Sequence, residues 1–259
     1  MKTKYYTLPF LFLFAIIACK KNTTEYKSPA SVLVIHCAVE AGPIKMKIGS
    51  ESGFSYANAL ALVYGTSMFS NASEVGNNDV TVVNSIDSNK ILIHKTLDLK
   101  PINTLYIVGQ SPNIESIFRS ESNFPSIQPV AENPDYSFYL RFVNLSPNSA
   151  PININVAGSL TNEVAGLSYK GITDFKKYVA SPAIPASGSN PAVPATPNYV
   201  FEIKDAATNT LLNTITVNST NTRFKTAVVV IRGTYPTLPI PVPAPVVPNP
   251  FGAFQINYN

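Results

Sequence analysis

The sequence has no tryptophan, only two cysteines and two histidines, and no Gly-rich phosphate loop, Gly-x-Ser-x-Gly elbow or spaced pair of carboxylates. Two histidines and the one cysteine outside the N-terminal segment argue against a zinc site, which needs three or more converging ligands. No motif in the chain therefore specifies a reaction. We expect a non-enzymatic protein with no catalytic residues, no metal and no cofactor.

Charged residues are also few, at 13% of the chain, which is about half the usual fraction. There are 19 basic and 15 acidic residues, a net charge of +4, and without Lys2 and Lys4 the balance is 17 against 15. A nucleic-acid binder would concentrate Lys and Arg on one face. We therefore expect no nucleic-acid partner and a surface of neutral polar residues, which suits an exported β protein.

The N-terminus has the features of a secretory signal. Lys2 and Lys4 precede an apolar run at 8–18 that ends directly before Cys19. The run is about 11 residues long, whereas roughly 20 are needed to span a bilayer. The segment Ile16-Ile-Ala-Cys19 resembles the lipobox of bacterial lipoproteins.

This resemblance implies cleavage before Cys19, acylation of Cys19 and attachment to the membrane through the lipid. We expect a cell-envelope location, in the outer membrane of a Gram-negative bacterium. Whether the protein faces the periplasm or the outside stays open, because no acidic cluster follows Cys19. The alternative is an ordinary signal peptide that is cut elsewhere.

The chain contains an internal repeat. Residues 32–48 align without a gap on 140–156, with Pro43 on Pro151. Further segments match in the same order: 62–66 on 167–171, 90–97 on 210–217, and 105–109 on 229–233. A duplicated domain explains this common order.

The repeated segments resemble the DUF4397 family, whose pattern is a Val-Val-His-Ala-Ser-Pro-Asp-Ala-Pro strand and turn followed by an alternating strand. The second half carries Val143-Asn-Leu-Ser-Pro-Asn-Ser-Ala-Pro151 and then Ile152-Asn-Ile-Asn-Val156. The first half keeps the family histidine as His36 but has Ala38-Val-Glu40 in place of the Ser-Pro-Asp turn. The resemblance covers about 31–235. Because the family has no known function, it implies a fold and a duplication and transfers no catalytic residue.

Alternation of apolar and polar residues dominates both halves, as in Ile44-Lys-Met-Lys-Ile48, and it predicts half-buried antiparallel strands. Turn signals at 76–79, 87–89 and 205–209 separate short strands, and no long stretch has a helical period. We predict an all-β fold of two tandem immunoglobulin-like antiparallel β-sandwich domains, each of about seven strands. The strand order stays open without a Cys-Trp-Cys signature.

The expected organisation follows from the repeat and from the proline-rich stretches. The predicted segments are a signal peptide at 1–18, a lipidated tether at 19–30, a first β-sandwich at 31–110, an extended interdomain segment at 111–137, a second β-sandwich at 138–235 with a mobile Pro-rich loop at 181–197, and a Pro-rich tail at 236–259 in which 251–258 docks as a last strand.

His36 and Cys37 are adjacent, which invites a catalytic interpretation. Successive side chains of a strand point to opposite faces, so the two cannot form a hydrogen-bonded pair there. We expect His36 to hydrogen-bond a neighbouring turn, as Asn144 could do at the equivalent place. If Cys19 carries lipid, Cys37 has no disulfide partner, and we expect a buried structural thiol rather than a reactive one.

Two weaker site hypotheses remain. The turn signals at 76–79 and 87–89 carry oxygen ligands that suit calcium, although ordinary turns use the same residues. Phe175 and Tyr178 lie in the densest charged and aromatic stretch, with Tyr169 nearby, and aromatic rings beside polar groups can stack on sugars. The first function hypothesis is an interaction or structural module at the envelope. The alternative is a carbohydrate-binding or adhesive accessory of a surface uptake system, with an unidentified protein or glycan as ligand.

Overall fold

The computed structural model describes residues 28–50, 53–125, 127, 136–236 and 249–258. The protein is all-β: within these residues it forms four sheets and one short helix. None of the described residues belongs to a helix that is long and apolar enough to cross a membrane. Cys19, the predicted signal peptide and most of the predicted tether lie outside the described residues.

The first half contains two sheets. Sheet A has the strand order β3-β1-β6-β7, and sheet B has the order β2-β4-β5. The strands are β1 Pro29–His36, β2 Ile44–Ile48, β3 Thr66–Glu74, β4 Gly76–Asn84, β5 Ile91–Leu99, β6 Ile102–Gln110 and β7 Asn113–Ser120.

The second half repeats this arrangement. Sheet C has the order β11-β8-β14-β15, and sheet D has the order β10-β9-β12-β13. The elements are β8 Ser137–Asn144, β9 Ile152–Val156, β10 Val164–Leu167, β11 Lys176–Val179, β12 Tyr199–Asp205, β13 Leu211–Val217, α1 Ser219–Thr222, β14 Thr226–Arg232 and β15 Gly252–Asn257. Sheets A and C have matching orders, as the internal repeat predicts.

Two strand pairs depart from the predicted antiparallel pattern. β1 pairs in parallel with β6, and β8 pairs in parallel with β14. Parallel neighbours need a long crossover connection rather than a hairpin. Here the chain passes through the second sheet of its own half before it returns, so the crossover is built into each repeat.

The core consists of three apolar clusters. One lies between sheets A and B, and another between sheets C and D. The third joins sheet A to sheet C, with Leu33, Ile35 and Tyr106 from the first half against Val143 and Val228 from the second. The sheets are therefore stacked in the order B, A, C, D, and the two halves share a core rather than following each other as separate tandem domains.

Part of the segment predicted to link the domains is a strand. Instead of an extended connection at 111–137, Asn113–Ser120 forms β7 and pairs antiparallel with β6. Ile114 and Phe118 pack on the first core and Ile117 on the central one. The favourable free energy of burying these apolar side chains on both faces of β7 exceeds the destabilising effect of the prolines nearby. Likewise Pro29 and Ala30, at the end of the predicted tether, already belong to β1.

The C-terminal strand is confirmed. β15 pairs antiparallel with β14, from Ala227↔Asn257 to Arg232↔Gly252, and it closes sheet C as β7 closes sheet A. The remainder of the predicted tail, residues 237–248, lies outside the described residues.

The Pro-rich loop at 181–197 lies at the surface as expected, but it forms a hairpin. Ile184 and Val193 exchange two backbone hydrogen bonds of 2.8 and 2.9 Å, and Ser187 and Asn190 exchange two more of 3.1 and 3.0 Å. About half of the Ile184 and Val193 side-chain surface stays exposed.

Candidate functional site

His36 and Asn144 perform the predicted role at equivalent positions. His36 Nε2 lies 2.8 Å from the Gly42 carbonyl oxygen, and its Nδ1 accepts from the Ala38 backbone N–H at 3.4 Å. Asn144 Oδ1 accepts from the Ser146 backbone N–H at 3.2 Å. Burial lowers the pKa of His36, so the ring is neutral at pH 7 and one of its nitrogens can accept. Both residues hold the turn after the first strand of their repeat.

Cys37 is a buried thiol, as predicted. It is fully enclosed in the central cluster, and burial raises its pKa to about 12. The thiol is therefore protonated and inaccessible in the folded protein.

The three aromatic residues predicted to stack on sugars do not share a surface. Tyr178 points into the second core, stacks on Phe138 at 5.4 Å and donates to Glu163. Phe175 covers the Arg141 guanidinium, whose central carbon lies 3.5 Å from the Phe175 ring centroid. Tyr169 lies between the two halves near the Gly109 backbone, and burial raises its pKa. In β11 only Tyr178 is buried, since alternation turns it inward.

A buried ion pair lies between the halves and was not foreseen. Arg141 donates from Nη1 and Nη2 to the two oxygens of Glu121 at 2.8 and 2.7 Å. The side chains are 2% and 5% exposed. Arg141 aligns with Leu33 of the first repeat. In the sequence, this charged residue within an otherwise apolar strand is the feature that indicates a buried partner.

Other polar contacts also cross between the halves. Lys170 of the second half lies 2.7 Å from Glu115 of β7. Thr104 Oγ1 lies 2.9 Å from the Tyr258 hydroxyl. At the opposite end, the Arg232 guanidinium carbon lies 4.8 Å from the Tyr64 ring centroid. These contacts surround the central apolar cluster and fix the relative orientation of the two halves.

The outward face of sheet B carries a polar groove of about 580 Å³. Ligand sites of small molecules commonly have volumes of roughly 300–1,000 Å³. The groove is built from β2, β4 and β5 and from Gly49 and Ser50, which follow β2. Its polar side chains include Lys47, Asn78, Asp79, Thr81, His94 and Thr96.

Strand register brings these side chains together. Lys47 lies opposite Thr81, and Thr81 lies opposite His94, so they form one row across the three strands. Asp79 and Thr96 form the adjacent row. Thr81 Oγ1 lies 2.9 Å from His94 Nδ1, and Thr96 Oγ1 donates to Asp79 Oδ1 at 2.6 Å. These hydrogen bonds orient the imidazole and the carboxylate.

An aromatic loop borders this face. Phe54 and Tyr56 pack edge to face with centroids 4.9 Å apart. Lys45 Nζ donates to the Tyr56 carbonyl oxygen at 2.7 Å and holds the loop against β2. Lys47 Nζ lies 5.7 Å from the Phe54 ring centroid. Burial raises the pKa of Tyr56, whose hydroxyl also hydrogen-bonds Thr81. Residues 53–58 had no distinguishing motif in the sequence.

The turn signal at 76–79 is part of strand β4 and of this groove rather than a loop. Asn78 Nδ2 donates to the Glu74 and Gly76 carbonyl oxygens at 2.8 and 2.9 Å. Within the described part of the chain, no three His, Cys, Asp or Glu side chains lie close enough to hold a metal ion. The signals at 87–89 and 205–209 do form turns, each with an aspartate that accepts from a backbone N–H two residues on.

Comparison with known proteins leaves the family open. No family model and no curated protein matches the chain. Among solved structures, a putative adhesin from Bacteroides ovatus is similar over 80% of this chain and 89% of its own, with 10% identity and a TM-score of 0.20. A likeness of this size carries no argument about function. Membership of the DUF4397 family stays a prediction.

Proposed function

We propose that this chain is a non-enzymatic envelope lipoprotein, in which an acylated Cys19 holds a rigid double β-sandwich at the membrane as an interaction module. The observation that carries the proposal is the core shared by sheets A and C. A module that presents a binding surface in a fixed orientation needs such a joint, whereas separate tandem domains would move relative to each other.

The geometry at the N-terminus supports this proposal. β1 begins at Pro29, ten residues after Cys19. A tether of that length spans at most about 35 Å. The folded body would therefore stay close to the membrane, with its outer sheets B and D facing away from the central joint. We retain the immunoglobulin-like description of each half as part of the proposal, supported by the facing pair of sheets.

The second candidate function is a carbohydrate-binding or adhesive accessory of a surface uptake system. The groove of sheet B favours it, because the groove combines oriented polar side chains with an aromatic border. Tyr169, Phe175 and Tyr178 do not contribute, for the reasons given above. This candidate is a special case of the interaction module.

Metabolic labelling with an alkyne palmitate tests the anchor. We expect label on the wild-type protein, and none on a Cys19→Ser variant that is still exported. An unlabelled wild-type protein that is released in soluble form would refute the lipoprotein proposal.

Proteinase K treatment of intact cells then determines the orientation of the protein. Digestion in intact cells would indicate an outward-facing module, and digestion only after lysis a periplasmic one. Recovery of the protein with soluble cytoplasmic markers when lysed cells are fractionated would refute an envelope location.

A further inference from the structure

We infer that the groove on the outward face of sheet B is a carbohydrate-binding site, formed by Lys47, Asp79 and His94 with the aromatic loop of Phe54 and Tyr56. The inference names the ligand class of the interaction module and therefore rests on the proposed function. It follows from a comparison of the two repeats, from the chemistry of the groove and from its borders.

The second repeat shows that the fold does not require this groove. Lys47 corresponds to Asn155, and Thr81 corresponds to Glu202, as the strand registers show. Glu202 lies 2.7 Å from Lys204 on the same face of sheet D. The charges of sheet D are thus paired within that sheet, and the second half folds around the same strand order without a comparable row of Lys, Thr and His.

The border of the two faces differs as well. In the second half β10 extends the sheet by pairing with β9, and Asn153 Oδ1 accepts from the Gly166 backbone N–H at 2.9 Å. Among the described residues of the first half, Leu62 alone makes an equivalent bridge, to Ile44. The preceding residues instead form the aromatic loop. The duplication has therefore diverged toward an open, aromatic-bordered face in one copy.

The chemistry of the groove matches a sugar. A sugar ring offers hydroxyls that both donate and accept, together with apolar C–H faces. Among the described residues, Asp79 Oδ2 and His94 Nε2 have no hydrogen-bond partner, and the Lys47 ammonium contacts only the Phe54 ring. These groups can accept from or donate to hydroxyls, and the Phe54 and Tyr56 rings offer apolar surface.

Two features of the groove favour a neutral sugar over other classes of ligand. Thr96 and Thr81 hold the carboxylate and the imidazole in place, so little conformational freedom is lost on binding. Of the described residues that line the groove, Asp79 carries the one carboxylate and Lys47 the one ammonium, and this balance disfavours phosphate, sulfate and nucleic acid, which would need a net positive site. A neutral oligosaccharide fits the balance of one cation and one anion.

The test uses the full-length lipidated protein in detergent. It is applied to a printed array of neutral and acidic oligosaccharides, and the strongest neutral ligand is then titrated by calorimetry. The informative variant is Asp79→Asn, since the amide oxygen can still accept from Thr96 while the charge is lost. The matched control is Glu202→Gln, the same chemical change on the outward face of the other repeat. Phe54→Ala tests the aromatic border.

We expect binding to one or more neutral glycans. A hydrogen bond to a charged group is worth enough that Asp79→Asn should weaken binding about tenfold or more. Phe54→Ala should also weaken it, and Glu202→Gln should leave it unchanged. Circular dichroism and melting confirm that each variant is folded.

Three outcomes would overturn the inference: a folded wild-type protein that binds no glycan, binding to acidic glycans alone, or binding that Asp79→Asn and Phe54→Ala leave intact. Failure of the inference and failure of the proposed function are distinguishable. If Cys19 is lipidated and the array is empty, the envelope module stands without a glycan site. If a neutral glycan binds but Cys19 is unlabelled, the site stands without the anchor.

Discussion

Removal of Glu121 is the sharpest test of the joint between the two halves. In Glu121→Ala, the Arg141 guanidinium keeps its charge and its position under the Phe175 ring but loses both carboxylate oxygens. Arg141 is only 2% exposed, so its guanidinium would keep its charge in a largely desolvated position without its partner. Removal of one partner from a buried ion pair typically costs about 3–5 kcal/mol.

A second substitution separates the cost of an orphaned charge from a loss of packing. Glu121→Ala combined with Arg141→Leu restores the residue type that Leu33 has in the first repeat. Apolar replacement of a buried ion pair is often neutral or stabilising. We therefore expect the double variant to regain most of the lost stability. Lys170→Ala, at a pair whose side chains are 37% and 55% exposed, is the control and should cost less than about 1 kcal/mol.

Urea unfolding followed by circular dichroism measures these free energies, since the chain has no tryptophan for fluorescence. For a protein of this size, 3–5 kcal/mol corresponds to a melting temperature lower by about 6–20 °C. A loss in Glu121→Ala no larger than that of the control would refute the buried joint. Two separate unfolding transitions in the wild-type protein would refute it too, because a shared core predicts one.

Three further predictions concern the turns and the core. Gly109→Ala should cost about 2 kcal/mol or more, since Gly109 has a φ of +96° and an added Cβ would lie 2.3 Å from the Asn113 carbonyl oxygen. Gly158→Ala, with a φ of +82° and open space around it, should cost less in the same urea experiment, and equal losses would argue against a clash at Gly109. Hydrogen bonds from Tyr235 and Thr208 lower the pKa of Asp205, so its stabilisation is present above the unfolded-state pKa of about 3.9 and is lost as pH falls through the folded-state pKa. Asp205→Asn should therefore melt below wild type at pH 7 and nearer to it at pH 3, and a gap independent of pH would contradict this. Cys37 should react with a thiol reagent only at the rate of unfolding, because it is buried with a pKa of about 12, and rapid labelling of the native protein would show that the central cluster is open.

Local features could be predicted from the sequence because they depend on short segments. Alternation in Ile44–Ile48 and Ile152–Val156 identified two strands, and the gapless alignment of 32–48 on 140–156 identified the duplication. The turn contacts of His36 and Asn144 followed from their equivalent positions. Each of these features depends on residues that are close in the sequence or that occupy equivalent places in the repeat.

The stacking of sheets B, A, C and D was decided only by the tertiary structure. The apolar runs of β1 and β14 indicate burial on both faces but do not say which surface covers the second face. Asn113–Ser120 became an edge strand because its apolar side chains found cores on both sides. Tyr178 was lost as a site residue for the same reason, since the sequence did not show which face of β11 turns inward.

The groove illustrates the same limit for function. Its polar side chains come from β2, β4 and β5, and its aromatic border comes from a loop between β2 and β3. Each residue taken alone reads as an ordinary exposed strand or turn residue. By itself the sequence determined alternating strands such as β2 and β9, the repeat, and the turns at 87–89 and 205–209, because these depend on short segments. Only cross-strand register and the packing of distant sheets decided which side chains meet, since such contacts arise from burial over the whole chain.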